Sequence, residues 1–332
     1  MFRQDRTNPS SAVSNWNGRK DTAKAWPSTA VSGWLNGGLF SSGDAYNMYF
    51  VGGGDYPYTT TADKIGVSTM TMTTISGALP QALAWTSGMN NNGVAGYTGN
   101  GYAGGSHDNI CKLLYATDTN VNLSDNPNAY YGLGSSSQSG VAGYMFGGSI
   151  STNDVNKDAR KITFSNDTQS TIEDVFVAED GVSSCYVGDA AASSVNSYYG
   201  GGIRSTATAR IDRFPFATET PAALSNEMTC DSYYTRATED YNTSCWYFPG
   251  SACNTVVNKM PISTETAAAV SSGLSVGRHF MGVIGVKGVA VYAAAASSTT
   301  MDKWDVSSDT RSSVAGSAKG NGPSTFANQD FS

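Results

Sequence analysis

A pattern of eight residues recurs six times along the chain, and it limits the fold more than any other feature. Its plainest form is Lys161-Ile162-Thr163-Phe164-Ser165-Asn166-Asp167-Thr168. The other copies begin at Lys64, Lys112, Arg213, Lys259 and Lys303, so successive starts lie 48, 49, 52, 46 and 44 residues apart. Each copy reads basic, apolar, any residue, apolar, Ser or Ala, small polar, usually Asp or Glu, then Thr. Self-similarity at such a period signals a propeller, a solenoid or an array.

The unit is written for strands. Its apolar residues fall two apart, as in Ile162 and Phe164 or Trp304 and Val306, which puts both on one face of a pleated strand. The Ser-x-Asp-Thr tail is turn chemistry, because short polar side chains bond to nearby backbone. Pro215 and Pro261 each remove a ladder donor and predict a strand end or an edge. Upstream of each basic residue lies an aromatic segment, running into paired glycines in four copies: Tyr49 to Gly53, Tyr102 to Gly105, Tyr144 to Gly148 and Tyr198 to Gly202. Looser apolar segments follow the Thr, such as Ala223-Leu224. A further strand is expected before the next Tyr, as in the Phe280 to Gly285 run or Gly140 to Gly143. Four strands in about 48 residues fit a propeller blade.

These observations predict an all-β fold: a six-bladed β-propeller over residues 45–332, with residues 1–44 as an N-terminal arm carrying closing strands. The alternative count is seven, with a worn unit at Lys24. A solenoid would need distinct polar caps, whereas in a closed ring the two ends complete one blade together.

Composition narrows the function. Charged residues make up 14% and the formal net charge is −7, so the chain lacks the basic clusters that bind phosphate backbones. The longest apolar run, Val289 to Ala296, is too short to span a bilayer. Met1 to Thr7 holds no apolar core segment and does not read as a signal peptide. Five cysteines, Cys111, Cys185, Cys230, Cys245 and Cys253, show no metal or disulfide spacing and are expected as thiols.

Gly99-Asn100-Gly101-Tyr102-Ala103-Gly104 matches a dinucleotide fingerprint in letters only. No helix follows it, so it reads as a glycine-rich strand edge. His107 beside Asp108 is expected in a solvated loop, and His279 as a loop or packing residue. The recurrent acids Asp118, Asp167, Glu219, Glu265 and Asp309 are expected at turns, with basic partners. No catalytic, metal or cofactor residue is assigned. The loop aromatics Tyr56, Tyr58, Tyr130, Tyr131, Tyr233, Tyr234 and Tyr241 lie outside the strand motif. They are the candidate binding residues, because loops on a rigid scaffold carry contacts.

The Tyr-x-x-Gly-Gly strand followed by the basic, apolar and Asp-Thr strand resembles the kelch-like, galactose-oxidase-type propeller repeat. It is more similar to the degenerate kelch-like arrays of virion structural proteins in tailed phages, especially marine, cyanophage-like ones. The resemblance covers residues 45 to 320. It implies a non-enzymatic virion component of tail or fibre, made in the host cytoplasm and assembled in many copies with other virion proteins. The alternative is a module that recognises a host surface glycan. Galactose oxidase uses a copper site of two His and two Tyr, and with only His107 and His279 here that chemistry is not carried over. Sialidase-type Asp boxes are missing, which leaves a carbohydrate-active enzyme as the third reading.

Overall fold

The computed structural model describes residues 46–327 apart from segments 54–56, 92, 124–129, 152–153, 156, 177–188, 203–206, 233, 241–242, 251–254, 278–280, 295–299 and 317–322. The expected arm, residues 1–44, and the worn unit at Lys24 lie outside the described residues. Every regular element among the described residues is a strand.

Six four-stranded antiparallel sheets follow one another along the chain. β1 (Asn47–Val51), β2 (Ala62–Gly66) and β3 (Met72–Ile75) belong to blade 1. Blade 2 is β4 (Ser87–Asn91), β5 (Ala95–Tyr102), β6 (Ser106–Leu114) and β7 (Thr119–Asn122). Blade 3 holds β8 (Gly134–Gln138) and β9 (Ala142–Phe146), then a small hairpin of β10 (Ser149–Ser151) and β11 (Asp154–Val155), then β12 (Ala159–Thr163) and β13 (Thr168–Ile172). Blade 4 is β14 (Asp189–Ala192), β15 (Asn196–Gly200), β16 (Ile211–Pro215) and β17 (Ala222–Ala223). Blade 5 is β18 (Arg236–Glu239), β19 (Ser244–Phe248), β20 (Asn258–Pro261) and β21 (Ala268–Ala269). Blade 6 is β22 (Gly282–Val286), β23 (Ala290–Ala294), β24 (Thr300–Asp305) and β25 (Arg311–Ala315).

The last strand, β26 (Ser324–Ala327), returns to blade 1 and pairs with β1, Met48 opposite Ala327 and Val51 opposite Ser324. Blade 1 is thereby built from both ends of the described chain, in the order β26-β1-β2-β3. The inner strands β26, β4, β8, β14, β18 and β22 touch in a closed cycle. The array is a ring of six blades.

The recurring residues explain the ring. Pro215 and Pro261 each end a strand, as expected. Tyr49, Tyr97, Tyr144, Tyr198, Trp246 and Tyr292 take the same place in the second strand of each blade, and all are fully buried. Around them the apolar residues form six clusters, one at each seam between neighbouring blades. Tyr49 and Val51 of blade 1 meet Leu113 and Tyr115 of blade 2, for example. Stability is thus spread over six seams rather than one centre, each anchored by an aromatic whose loss costs about 3–5 kcal/mol.

The inner strand of blade 6, β22, falls where the Phe280 to Gly285 run placed it, whereas that of blade 3 differs from the expectation. Gly140 to Gly143 spans a turn and the start of β9, while the inner strand of blade 3 is Gly134–Gln138. β4 and β8 are rich in small and polar residues because the inner strands converge on the axis, where small side chains are needed. A Cβ on Gly88 would sit 2.7 Å from the Thr325 carbonyl oxygen, and one on Gly285 would overlap the carbonyl of Glu239. Both obstacles are backbone, which cannot swing aside. Gly285→Ala is expected to destabilise the ring by about 1–3 kcal/mol or more, seen as a lowered melting temperature with an unchanged far-ultraviolet spectrum.

Candidate functional site

Three sets of side chains are candidates for function. They lie on the face carrying the hairpin turns, around the axis, and on the opposite face, where the longer loops run.

On the turn face the repeat builds an inter-blade device. The acid of each copy lies in the turn between the third and fourth strands, with φ from 50° to 56°. That is left-handed geometry, to which Asp is better suited than most side chains. The carboxylate reaches back to the basic residue of the preceding blade. Lys64 meets Asp118 at 2.7 Å, Lys112 meets Asp167 at 2.9 Å and Lys161 meets Glu219 at 2.6 Å. Arg213 meets Glu265 at 3.0 Å and Lys259 meets Asp309 at 2.7 Å. The buried tyrosine of the blade that carries the basic residue donates its hydroxyl to the same carboxylate: Tyr49 to Asp118, Tyr97 to Asp167, Tyr144 to Glu219 and Tyr198 to Glu265. Burial and that carboxylate push these phenols well above their ordinary range. In blade 5 the place is held by Trp246, with Lys259 stacked 4.8 Å over its ring. The acids are therefore turn residues with basic partners, as expected, and each pair ties one blade to the next.

Around the axis a second ring of bonds ties the inner strands together. Ser135 Oγ donates to the Gly88 carbonyl, and Ser137 Oγ accepts from Asn90 N–H. Thr238 Oγ1 accepts from Gly285 N–H, and Thr325 Oγ1 donates to the Val283 carbonyl. Ser324 Oγ donates to the Ser87 carbonyl and lies 2.8 Å from the Thr86 hydroxyl, closing blade 1 onto blade 2. Asp189 accepts from the N–H groups of Ser135, Ala190 and Ala237, spanning blades 3, 4 and 5, with Arg236 at 3.8 Å. All six inner strands line an axial cavity of about 60 Å³, room for little more than water.

Glu239 stands in that cavity wall and accepts weakly from Ala192 N–H at 3.5 Å. Burial raises its carboxyl to about 7, and the nearby Asp240 and Asp189 carboxylates push it the same way. Burial also raises Asp189, against the pull of Arg236 and its three N–H donors. Folding therefore favours protonated Glu239. Between the unfolded carboxyl range, about 4.3, and about 7 the folded state binds the extra proton. Stability in that window falls as pH rises and levels off above it. Glu239→Gln is expected to flatten the fall and to raise the melting temperature at pH 8, which a pH series of thermal melts on both proteins reads directly.

On the loop face the candidate tyrosines do not behave as a group. Tyr56, Tyr233 and Tyr241 lie outside the described residues. Tyr58 and Tyr234 are half-buried. Tyr130 and Tyr131 are buried, at 8% and 7% exposure, which corrects the expectation of exposed loop aromatics. The reason is backbone pairing: Tyr130 bridges to His107 and Tyr131 to Ser149, which draws the connection into the sheet. His107 is likewise in strand β6 rather than a loop, and its Nε2 lies 3.2 Å from Gln81 Nε2. His279 lies outside the described residues. The glycine-rich run from Gly99 lies in β5 and the tight turn after it, as expected of a strand edge.

What the loop face does gather is an aromatic cluster that includes Trp85, not singled out in the sequence, and Tyr102, expected as the repeat aromatic of blade 2, a place that Tyr97 takes in the structure. Trp85 and Tyr102 stack at 5.0 Å, with Tyr131 at 5.5 and 5.3 Å from them and Tyr58 edge-on to Tyr102 at 6.3 Å. Trp85 and Tyr102 are half-buried. Trp85 has φ of 52°, a genuine outlier for so bulky a side chain. Tyr234 and Gly132 share its place two residues before an inner strand and its positive φ. The conformation is thus a property of the scaffold into which a Trp has been set.

Among the described residues no cluster of metal-ligating side chains is present. Cys111 and Cys245 are buried in seam clusters, whereas Cys185 and Cys253 lie outside the described residues. The chain matches no protein-family model and no curated protein sequence. The fold and these three sets of residues define its class: a six-bladed propeller whose repeated polar residues serve closure.

Proposed function

We propose that this protein is a non-enzymatic structural component of a phage particle, of tail or fibre, in which the propeller is a rigid block held among neighbours. One observation carries the reading. The titratable residues written most often into the chain, the basic and acidic positions of the repeat, are spent on bonds between blades at five of the six seams. Such use favours stiffness over chemistry, and radial closure leaves only short sheet edges. The likeness of the repeat to kelch-like virion arrays supplies the setting. The test is to purify intact particles and identify their proteins by mass spectrometry. The chain is expected in the particle at a fixed copy number, and its absence would contradict the proposal.

A second reading, recognition of a host surface glycan, is favoured by the half-buried Trp85 and Tyr102 on the loop face. Aromatic rings with a polar surround suit sugar contacts. Retention on a glycan array that is lost in Trp85→Ala supports it, and no retention on any glycan removes it.

A further inference from the structure

The ring of inter-blade pairs has one gap. At the seam between blades 6 and 1, the place of the acid is taken by Met70, whose φ of 52° matches that of the five acids. Lys303 holds the same pose as its counterparts, 5.8 Å over the Tyr292 ring, where Lys64 lies 5.7 Å over Tyr49. No acid among the described residues pairs with Lys303. Tyr292 is fully buried, and its hydroxyl makes no hydrogen bond among the described residues, although four equivalent tyrosines donate to a carboxylate. A buried donor without an acceptor is costly and uncommon. Two donors therefore converge where the fold elsewhere holds a carboxylate.

We propose that this seam is a binding site for a carboxylate brought from outside the repeat. Lys303 Nζ would make the ion pair and the Tyr292 hydroxyl the second hydrogen bond, as in the other seams. Met70 covers the place. It is unbranched and half-buried, and the adjoining turn residues Ser68 and Thr69 are exposed, so its side chain can swing aside without moving backbone. The carboxylate has two sources of the same chemistry, a small free acid or an acidic side chain of a neighbouring polypeptide.

The experiment uses thermal melts of the full chain in sodium acetate against sodium chloride at equal ionic strength. A second pair of arms compares acetyl-Gly-Glu-Gly-amide with its Gln counterpart. The wild-type protein is expected to gain about 2 °C or more with a saturating carboxylate, and Lys303→Met to gain nothing. Met70→Asp, which supplies the carboxylate internally, is expected to melt higher without ligand and to lose the response. A gain with acetate assigns the site to small acids, whereas a gain confined to the Glu peptide assigns it to a polypeptide neighbour. No gain with either probe overturns the proposal, as does an equal gain in Lys303→Met.

Discussion

A chain ending at Pro323 is expected not to form the closed ring. It lacks β26, and blade 1 then has no inner strand. Phe326, 3% exposed, stacks on Tyr49 at 5.7 Å and packs beside Tyr115. Its loss alone is worth about 3–5 kcal/mol. With it go the bonds of Ser324 to blade 2 and of Thr325 to blade 6. β1 is left as an open edge, a template for association with other chains. These losses compare with the whole stability of an ordinary domain, about 5–15 kcal/mol. The truncated protein is expected to lose its cooperative thermal transition and to aggregate. Phe326→Ala should keep the fold with a lower melting point. A truncated chain that melts cooperatively near the wild-type temperature would show that the C-terminal strand does not hold the ring.

The second large effect is expected at Asp189. Its carboxylate gathers N–H groups from three consecutive blades and faces Arg236. Asp189→Ala leaves those donors buried and strips Arg236 of its counter-charge. Breaking a buried pair from one side costs about 3–5 kcal/mol, or on the order of 10 °C in melting temperature for a chain of this size. Asp189→Asn restores a single acceptor oxygen and should recover part of the loss. Thermal melts of both variants check this, and an Asp189→Ala protein within 2 °C of wild type would mean that the hub carries little.

The two middle strands of each blade were legible in the sequence because they are packed between seams, although in blade 2 Tyr97 rather than Tyr102 holds the aromatic place. There the aromatic before the glycines and the alternation after the basic residue both face neighbours, so apolar pattern and structure coincide. Among the inner strands only β22 was legible, through the apolar run ending at Gly285. Ser87–Asn91 and Gly134–Gln138 carry little strand propensity, because their side chains bond neighbouring backbone and line a narrow axis. Asp189 and Glu239 fall outside the eight-residue pattern, and nothing in their local sequence marks them. Tyr130 and Tyr131 misled because adjacent tyrosines between repeats resemble a loop, while bridges to His107 and Ser149 bury them. Trp85 and Tyr102 meet because Ala84 bridges Tyr102 at the end of the β4–β5 ladder, a pairing within blade 2 that neither stretch announces. Met70, by contrast, was visible: aligned copies show an apolar residue where the other five place an acid.

The measurement that bears most directly on ring closure is a density map of the isolated protein viewed down the propeller axis. Six wedges are expected, with the segment 324–327 lying innermost in the wedge that also contains 47–51. A seventh wedge, or an open arc with 324–327 detached from 47–51, would contradict the account.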